Sequence, residues 1–209
     1  MPDCEVFADI GCDHGYLSEY MAGRAKFVLA SDISKNSLDK AKERCGKLPN
    51  VHFFAGNGFE PLPQTPDAAV IAGMGGDEIA KIILSPKAKC RLVMQPMRDS
   101  SLLYKTLVEN GFYIDKVCAV EDDGRIYEII SAYPGNDLPF EYELPPLNRL
   151  IIDGDAVKLL RFKKKIMLSA LEQAENAKTS RGEKRVKEIK KRLERICEVI
   201  NCAESKGYY

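Results

Sequence analysis

Residues 9–17 read Asp9-Ile10-Gly11-Cys12-Asp13-His14-Gly15-Tyr16-Leu17. They join an apolar run, Glu5–Ile10, to a short helical pattern, Tyr16–Gly23. The first reads as a buried strand and the second as a helix. A glycine-bearing turn between the two lies where an open α/β sheet receives its ligand, beyond the carboxyl ends of the strands. Glycine lets the backbone turn sharply and lets a ligand approach without meeting a Cβ.

Working outward, the same alternation repeats. Strands are predicted at Phe27–Ser31, Val51–Ala55, Ala68–Ala72 and Arg91–Gln95. Helices are predicted at Lys35–Gly46, capped by Ser34, at Asp77–Leu84, and at Ser100–Asn110, closed by Gly111. Two last strands, Tyr113–Val120 and Ile126–Ala132, flank the turn signal Asp122-Asp123-Gly124. The pattern predicts an α/β, Rossmann-like, mostly parallel sheet whose last strand is antiparallel.

Four prolines mark the stretch from Pro134 to Pro146, where no period survives. Beyond it the period is helical. Val157, Leu160, Met167, Leu171 and Ala174 form one stripe, which Lys164 interrupts. Val186, Ile189, Leu193, Ile196 and Ile200 form another, after the capping-box signature Ser180-Arg181-Gly182-Glu183. The expected organisation is a ligand-binding domain over 1–134, a proline-rich linker over 135–153 and an antiparallel α-helical hairpin over 154–209.

The net charge is zero, yet the chain is polarised. Residues 1–153 carry 16 Lys+Arg against 23 Asp+Glu, a difference of −7; residues 154–209 carry 15 against 8, a difference of +7. An acidic body with a basic helical tail points to a polyanionic partner for the tail. No apolar run suits a membrane span, and Met1–Phe7 has the acids Asp3 and Glu5 in place of a basic leader. Seven cysteines, none spaced Cys-x-x-Cys, read as reduced thiols of a cytoplasmic protein, with no metal site expected beside only two histidines.

The strand ends carry the chemistry. Gly11 and Gly15 are spaced Gly-x-x-x-Gly, so the dinucleotide fingerprint fails. Asp9 and Asp13 also suit a cationic ligand better than a pyrophosphate. On charge, S-adenosylmethionine fits where NAD does not. Asp32, 21 residues after Gly11, is placed to accept hydrogen bonds from ribose hydroxyls; its plain alternative is a helix cap. Asn57, in Gly56-Asn57-Gly58, can donate and accept at an adenine edge, or simply form a turn. Gly73-Met74-Gly75-Gly76 leaves a wall poor in side chains, and Gln95-Pro96-Met97 ends the next strand beside it.

Together, Asp-Ile-Gly-x-Asp-His-x-Tyr-Leu, Ser31-Asp32-Ile33, Gly56-Asn57-Gly58, Ile71-Ala72-Gly73-Met74-Gly75-Gly76 and Gln95-Pro96 resemble the bacterial TrmK family. Those are tRNA (adenine-N1)-methyltransferases acting on adenosine 22 of tRNA, with a class I methyltransferase sheet and a basic coiled-coil domain. The resemblance covers nearly the whole chain. It implies S-adenosylmethionine binding by Asp9, Gly11, Cys12, Asp13, Gly15, Asp32, Ile33, Asn57, Gly58, Gly73 and Met74. It implies a substrate pocket at Gly75, Gly76, Gln95 and Pro96, with Asp13 and His14 orienting the reacting groups. The tRNA would be held by Lys163, Lys164 and Lys165 and by Arg181, Lys184, Arg185, Lys187, Lys190, Lys191 and Arg192. A monomer is expected. Asn57 departs from the family's usual Asp, Gly15 from its usual Ala, and a helix usually precedes the first strand.

Three rival readings stay open at this stage. A methyltransferase for another RNA, a protein or a small molecule would share the cofactor site; in the last two cases it would lack RNA affinity. A non-catalytic RNA-binding protein would keep the fold and lose the cofactor. An NAD-dependent oxidoreductase is opposed by the failed fingerprint.

Overall fold

The computed structural model describes residues 4–138, 142, 144–176 and 180–208; the side chains at 180–182 lie outside the described part. Strands β1 (Cys4–Ile10), β2 (Ala25–Asp32), β3 (Val51–Ala55), β4 (Ala68–Met74) and β5 (Arg91–Pro96) are parallel. Strands β6 (Phe112–Asp122) and β7 (Arg125–Pro134) complete a seven-stranded sheet in the order β3-β2-β1-β4-β5-β7-β6, with β7 antiparallel to β5. Helices α1 (Tyr16–Ala22) and α2 (Lys35–Cys45) pack beside β1–β3. Helices α3 (Gly76–Ile82) and α4 (Ser101–Glu109) pack on each other, and α3 also touches β4 and β5. Two long helices, α5 (Gly154–Asn176) and α6 (Ser180–Ser205), follow.

The central strands are apolar along their length because a parallel sheet is covered on both faces. Phe7, Ala8, Ile10, Val28, Leu29, Ala30, Ala69, Ile71, Leu92 and Met94 are all buried. The chain leaves β1 toward β2 and β3, then returns to place β4 on the other side of β1. That reversal opens a crevice at the carboxyl ends of β1 and β4, the position at which such sheets bind ligands. The β6–β7 connection is the two-residue turn Asp123-Gly124, with φ of +47° and +69°. Positive φ at both central residues matches the right-handed twist of the flanking strands.

Contacts divide the chain into two units, Met1–Val117 with Ile129–Pro145, and Cys118–Glu128 with Pro146–Tyr209. The sequence boundary at 134 keeps the β6–β7 hairpin whole, whereas the contacts assign its outer half to the second unit. The proline-rich stretch is packed at several points: Leu144 and Leu150 are buried, and Gly135 N–H donates to the Gly111 carbonyl at 2.9 Å. Residues 139–141 and 143 of it lie outside the described residues.

Within the second unit, Val157, Leu160, Met167 and Ala174 of α5 and Ile189, Ile196 and Ile200 of α6 are buried, and the two helices pack on each other. Arg161 pairs with Glu204, and Glu175 with Lys190, so residue numbers rise on one helix as they fall on the other. The helices are therefore antiparallel. Asp153 Oδ1 accepts from Ala156 N–H at 2.8 Å and caps α5. The capping-box serine Ser180 lies among the residues without described side chains. No described helix is long and apolar enough to cross a membrane.

Among the described residues, two ion pairs join the hairpin's outer half to α5: Lys158 with Glu121 near the surface, and Lys163 with Glu128 away from water. Lys163 Nζ lies 3.0 Å from Glu128 Oε2, with side chains only 14% and 9% exposed. A charge this far from water is costly once its partner is gone. Lys163→Met is expected to destabilise the protein by about 2 to 3 kcal/mol, measured by urea unfolding. Adding Glu128→Leu should recover most of the loss. A single variant as stable as the wild type would contradict this account.

Candidate active site

The turn after β1 is bound to the end of β2. Gly11 and Cys12 N–H both donate to the Ser31 carbonyl, at 2.8 and 3.0 Å. Asp13 follows with φ +42°, a left-handed conformation that costs a non-glycine residue about 1 kcal/mol or more. Its N–H donates to Asp32 Oδ2 at 3.1 Å, and Asp32 Oδ1 accepts from Ser34 N–H at 2.7 Å. Gly11 has φ +74° and faces Met74, whose Cε would lie 2.1 Å from any added Cβ. That methyl closes directly over the turn.

Asp13 and His14 form a pair at the surface, Oδ2 to Nδ1 2.7 Å. The hydrogen bond from His14 holds the Asp13 carboxyl below its usual range. Asp9 lies at the opposite extreme. It is 4% exposed within β1, and its Oδ2 accepts from Ser18 Oγ of α1 at 2.6 Å. Burial pushes its carboxyl up to about 6, against the hydrogen bonds from Ser18. Cys12 sits beneath the turn; burial first, and the charges of Asp9 and Asp32 next, push its thiol to about 12. The thiol therefore stays neutral.

The other strand ends meet the same edge. Gly56 N–H donates to the Asp32 carbonyl at 3.0 Å, and Ser31 Oγ donates to the Gly58 carbonyl at 2.8 Å. Asn57 between them is exposed, and Ile33, beside Asp32, is 78% exposed. At the end of β4 the register slips between Ala72 and Met74. Gly73, at φ +78°, stands in open space and donates its N–H to Gln95 Oε1 at 3.0 Å. Gln95 thus braces the β4 turn. Gly75 precedes α3, and Gly76, its first residue, lies so close to the Asp99 carbonyl that a Cβ would come within 2.0 Å of that oxygen. Pro96 is buried and pairs with Met74.

The structure lines Gly11, Cys12, Asp13, Asp32, Gly58, Gly73, Met74 and Gln95 along one edge, with Gly58 joined through Ser31. His14 and Gly15 continue the turn, Gly15 at φ +74° against Ala41 and Cys45. Three contributors escaped the sequence argument. Ser18, a lone hydroxyl beside Met21 on the buried face of α1, was legible as a polar interruption. Ser31 was quoted within the Ser31-Asp32-Ile33 motif but given no role, and Arg44, which donates to the His14 carbonyl at 3.0 Å, gave no sequence signal.

The basic residues divide by surroundings. Lys165, Lys184, Arg185, Lys187, Lys190 and Lys191 are exposed; Lys164 and Arg192 are half-buried. Lys190 pairs with Glu175. Lys163 is committed to Glu128 and does not stand with the outward set. The Arg181 side chain lies outside the described residues. Lys184, Lys187 and Lys191, joined by the exposed Arg195, follow each other at steps of three, four and four, and so share one face of α6. Sequence counting passed over Arg195.

The burial of Asp9 sets a pH dependence. Its unfolded carboxyl titrates near 3.8 and its folded one near 6. Well below pH 3.8 both states are protonated and nothing is lost. As pH rises from 4 to 6 the unfolded chain ionises first and the fold loses stability; above 6 the loss is constant, at most about 3 kcal/mol. Asp9→Asn is expected to raise the melting temperature at pH 8 and to leave it nearly unchanged at about pH 3. A variant no more stable than wild type at pH 8 would refute the assignment.

A family profile described as a methyltransferase domain matches residues 1–130. Relatives in Mycoplasma genitalium and Mycoplasma pneumoniae, with provisional tRNA methyltransferase names, are 37% and 35% identical over 128 and 133 residues. The match spans 58% and 61% of this chain, and only 59% and 62% of their lengths. The tRNA (adenine(22)-N(1))-methyltransferase of Bacillus subtilis is 29% identical across 96% of this chain and 92% of its own. The crystal structure of the B. subtilis m1A22 tRNA methyltransferase TrmK superposes with a TM-score of 0.77 at 26% identity, covering 95% of this chain and 93% of that one. The chain belongs to the methyltransferase domain family, and it is similar to TrmK over nearly its whole length.

Proposed function

We propose that this protein transfers a methyl group from S-adenosylmethionine to N1 of an adenine in tRNA, at the adenosine 22 for which the B. subtilis relative is named, and does so in the cytoplasm. The likeness to that relative over both the sheet and the helical hairpin carries the proposal. The rival oxidoreductase reading has no phosphate-cradling turn to support it.

The donor set fits the cofactor. Two of the roughly four lone-pair positions of the Asp32 carboxylate are taken by Asp13 and Ser34 N–H. The others are left for ribose hydroxyls. Ile33 offers an exposed apolar face to an adenine, and Asn57 a donor and an acceptor for its edge. Gly73 leaves open space where a second ligand can approach. When bound, S-adenosylmethionine supplies an electrophilic methyl on a sulfonium centre.

The residues have a modest task. Adenine N1 already carries a lone pair, so no side chain has to remove a proton first. N1 lies on the Watson–Crick edge, so the base must be unpaired or flipped to present it. Placement and exclusion of water then supply most of the acceleration. Asp13, kept ionised by His14, offers negative charge where the methylated base becomes cationic. The body, residues 1–134, would bind the cofactor, and the hairpin, 154–209, would bind RNA.

Incubation with labelled S-adenosylmethionine and unmodified tRNA is expected to yield 1-methyladenosine on nucleoside analysis. Asp13→Asn tolerates the left-handed backbone while removing the charge, and should lower turnover about tenfold or more with folding intact. Full turnover would sink the role of Asp13, and transfer to another atom or to no tRNA would sink the function.

The α6 face gives a second test. Changing Lys184, Lys187 and Lys191 together to Gln should weaken tRNA binding and make the salt dependence of log K shallower by about 2 to 3. Cofactor affinity, measured by calorimetry, should not move. An unchanged salt slope would remove α6 from the RNA interface.

A further inference from the structure

Helix α1 leaves two tyrosines in water one turn apart. Tyr16 is 66% exposed and Tyr20 59%. Each ring has an arginine over it: the guanidinium carbon of Arg44 lies 3.7 Å from the Tyr16 centroid, and that of Arg24 lies 4.8 Å from Tyr20. Arg44 is itself fixed twice more, donating from Nε to the His14 carbonyl at 3.0 Å and from a terminal nitrogen to Glu19 at 3.1 Å. Exposed rings of this size contribute little through burial. An exposed cation–π contact adds only about 0.5 to 1 kcal/mol. The cluster nonetheless holds Tyr16 in one orientation, two residues after His14 of the Asp13–His14 pair.

We propose that Tyr16, backed by Arg44, is a stacking platform for an unpaired base next to the adenosine being methylated, and that Tyr20 with Arg24 continues the track. The proposal rests on the function given above. Freeing N1 of an adenine from pairing strips its neighbours of stacking, and an exposed aromatic face replaces it for any base. A ring already held in place loses little entropy on stacking. The Arg24 guanidinium supplies charge that suits a neighbouring phosphate, while Arg44, paired with Glu19, serves to hold the Tyr16 ring.

Steady-state methylation of an unmodified tRNA transcript tests it. Tyr16→Ala should raise KM for tRNA about tenfold, with kcat within about twofold and cofactor affinity unchanged by calorimetry. Tyr16→Phe should match the wild type, because the ring and not the hydroxyl stacks. With 2-aminopurine beside the target adenosine, the wild type should quench its fluorescence and Tyr16→Ala should not. If the wild type methylates the transcript while Tyr16→Ala keeps its KM, the platform is wrong and the function stands. A loss as large in Tyr16→Phe as in Tyr16→Ala also overturns the platform. A wild type that neither binds nor methylates tRNA removes both.

Discussion

The Asp32 carboxylate, at the end of β2, holds the working edge of the sheet. One oxygen takes Asp13 N–H from the turn after β1, and the other takes Ser34 N–H from its own turn. The left-handed backbone at Asp13 costs about 1 kcal/mol or more. A hydrogen bond to a charged acceptor contributes about 1.5 to 3 kcal/mol, enough to offset that cost. Without it the turn would relax, and with it the Asp13–His14 pair and the glycine placed beneath Met74. The carboxylate that would read a ribose is thus also the clamp that shapes the turn beside it.

That economy extends to the field around the turn. Asp9, Asp13 and Asp32 all raise the Cys12 thiol, which burial has already made hard to ionise. Three acids in so small a space would repel a pyrophosphate and welcome a cation. The selection of ligand by charge, argued first from the two acids flanking Gly11, therefore has a structural counterpart that includes a third. Asp9 acts from below the surface, tied to Ser18, so its contribution is the field rather than direct contact.

The strands and their mostly parallel arrangement were legible because buried parallel strands are apolar runs, and because their turns are written in glycine; the order of the strands across the sheet was not read from the sequence. The hairpin turn was equally legible, since Asp123-Gly124 is among the few dipeptides that accept two positive φ angles. Its division between two contact units was not, because nothing local in residues 118–128 records which helix they meet. Lys163 shows the same limit. It stands in a run of three lysines and looks like part of a solvated cluster, yet it pairs with buried Glu128. Gln95 was placed at the right edge, but its bond to Gly73 N–H depends on a register slip that no pattern announces.

Two acids four residues apart are driven in opposite directions. Burial raises Asp9 to about 6, while His14 lowers Asp13. Environments that push neighbouring carboxyls apart give them separate roles. A group that must remain ionised is best left near water with a hydrogen-bond donor, which is how Asp13 is held. A group that responds to a nearby cation is best buried, where the favourable field of that cation is least screened. Asp9 meets that condition: a sulfonium or ammonium bound above the turn would draw its carboxyl back toward the ionised form, and the stability given up by burying an acid in the free protein would return as affinity. Neither acid needs to take a proton from an adenine whose N1 is already nucleophilic. On the proposed function, their value would lie in charge placed before the reaction begins.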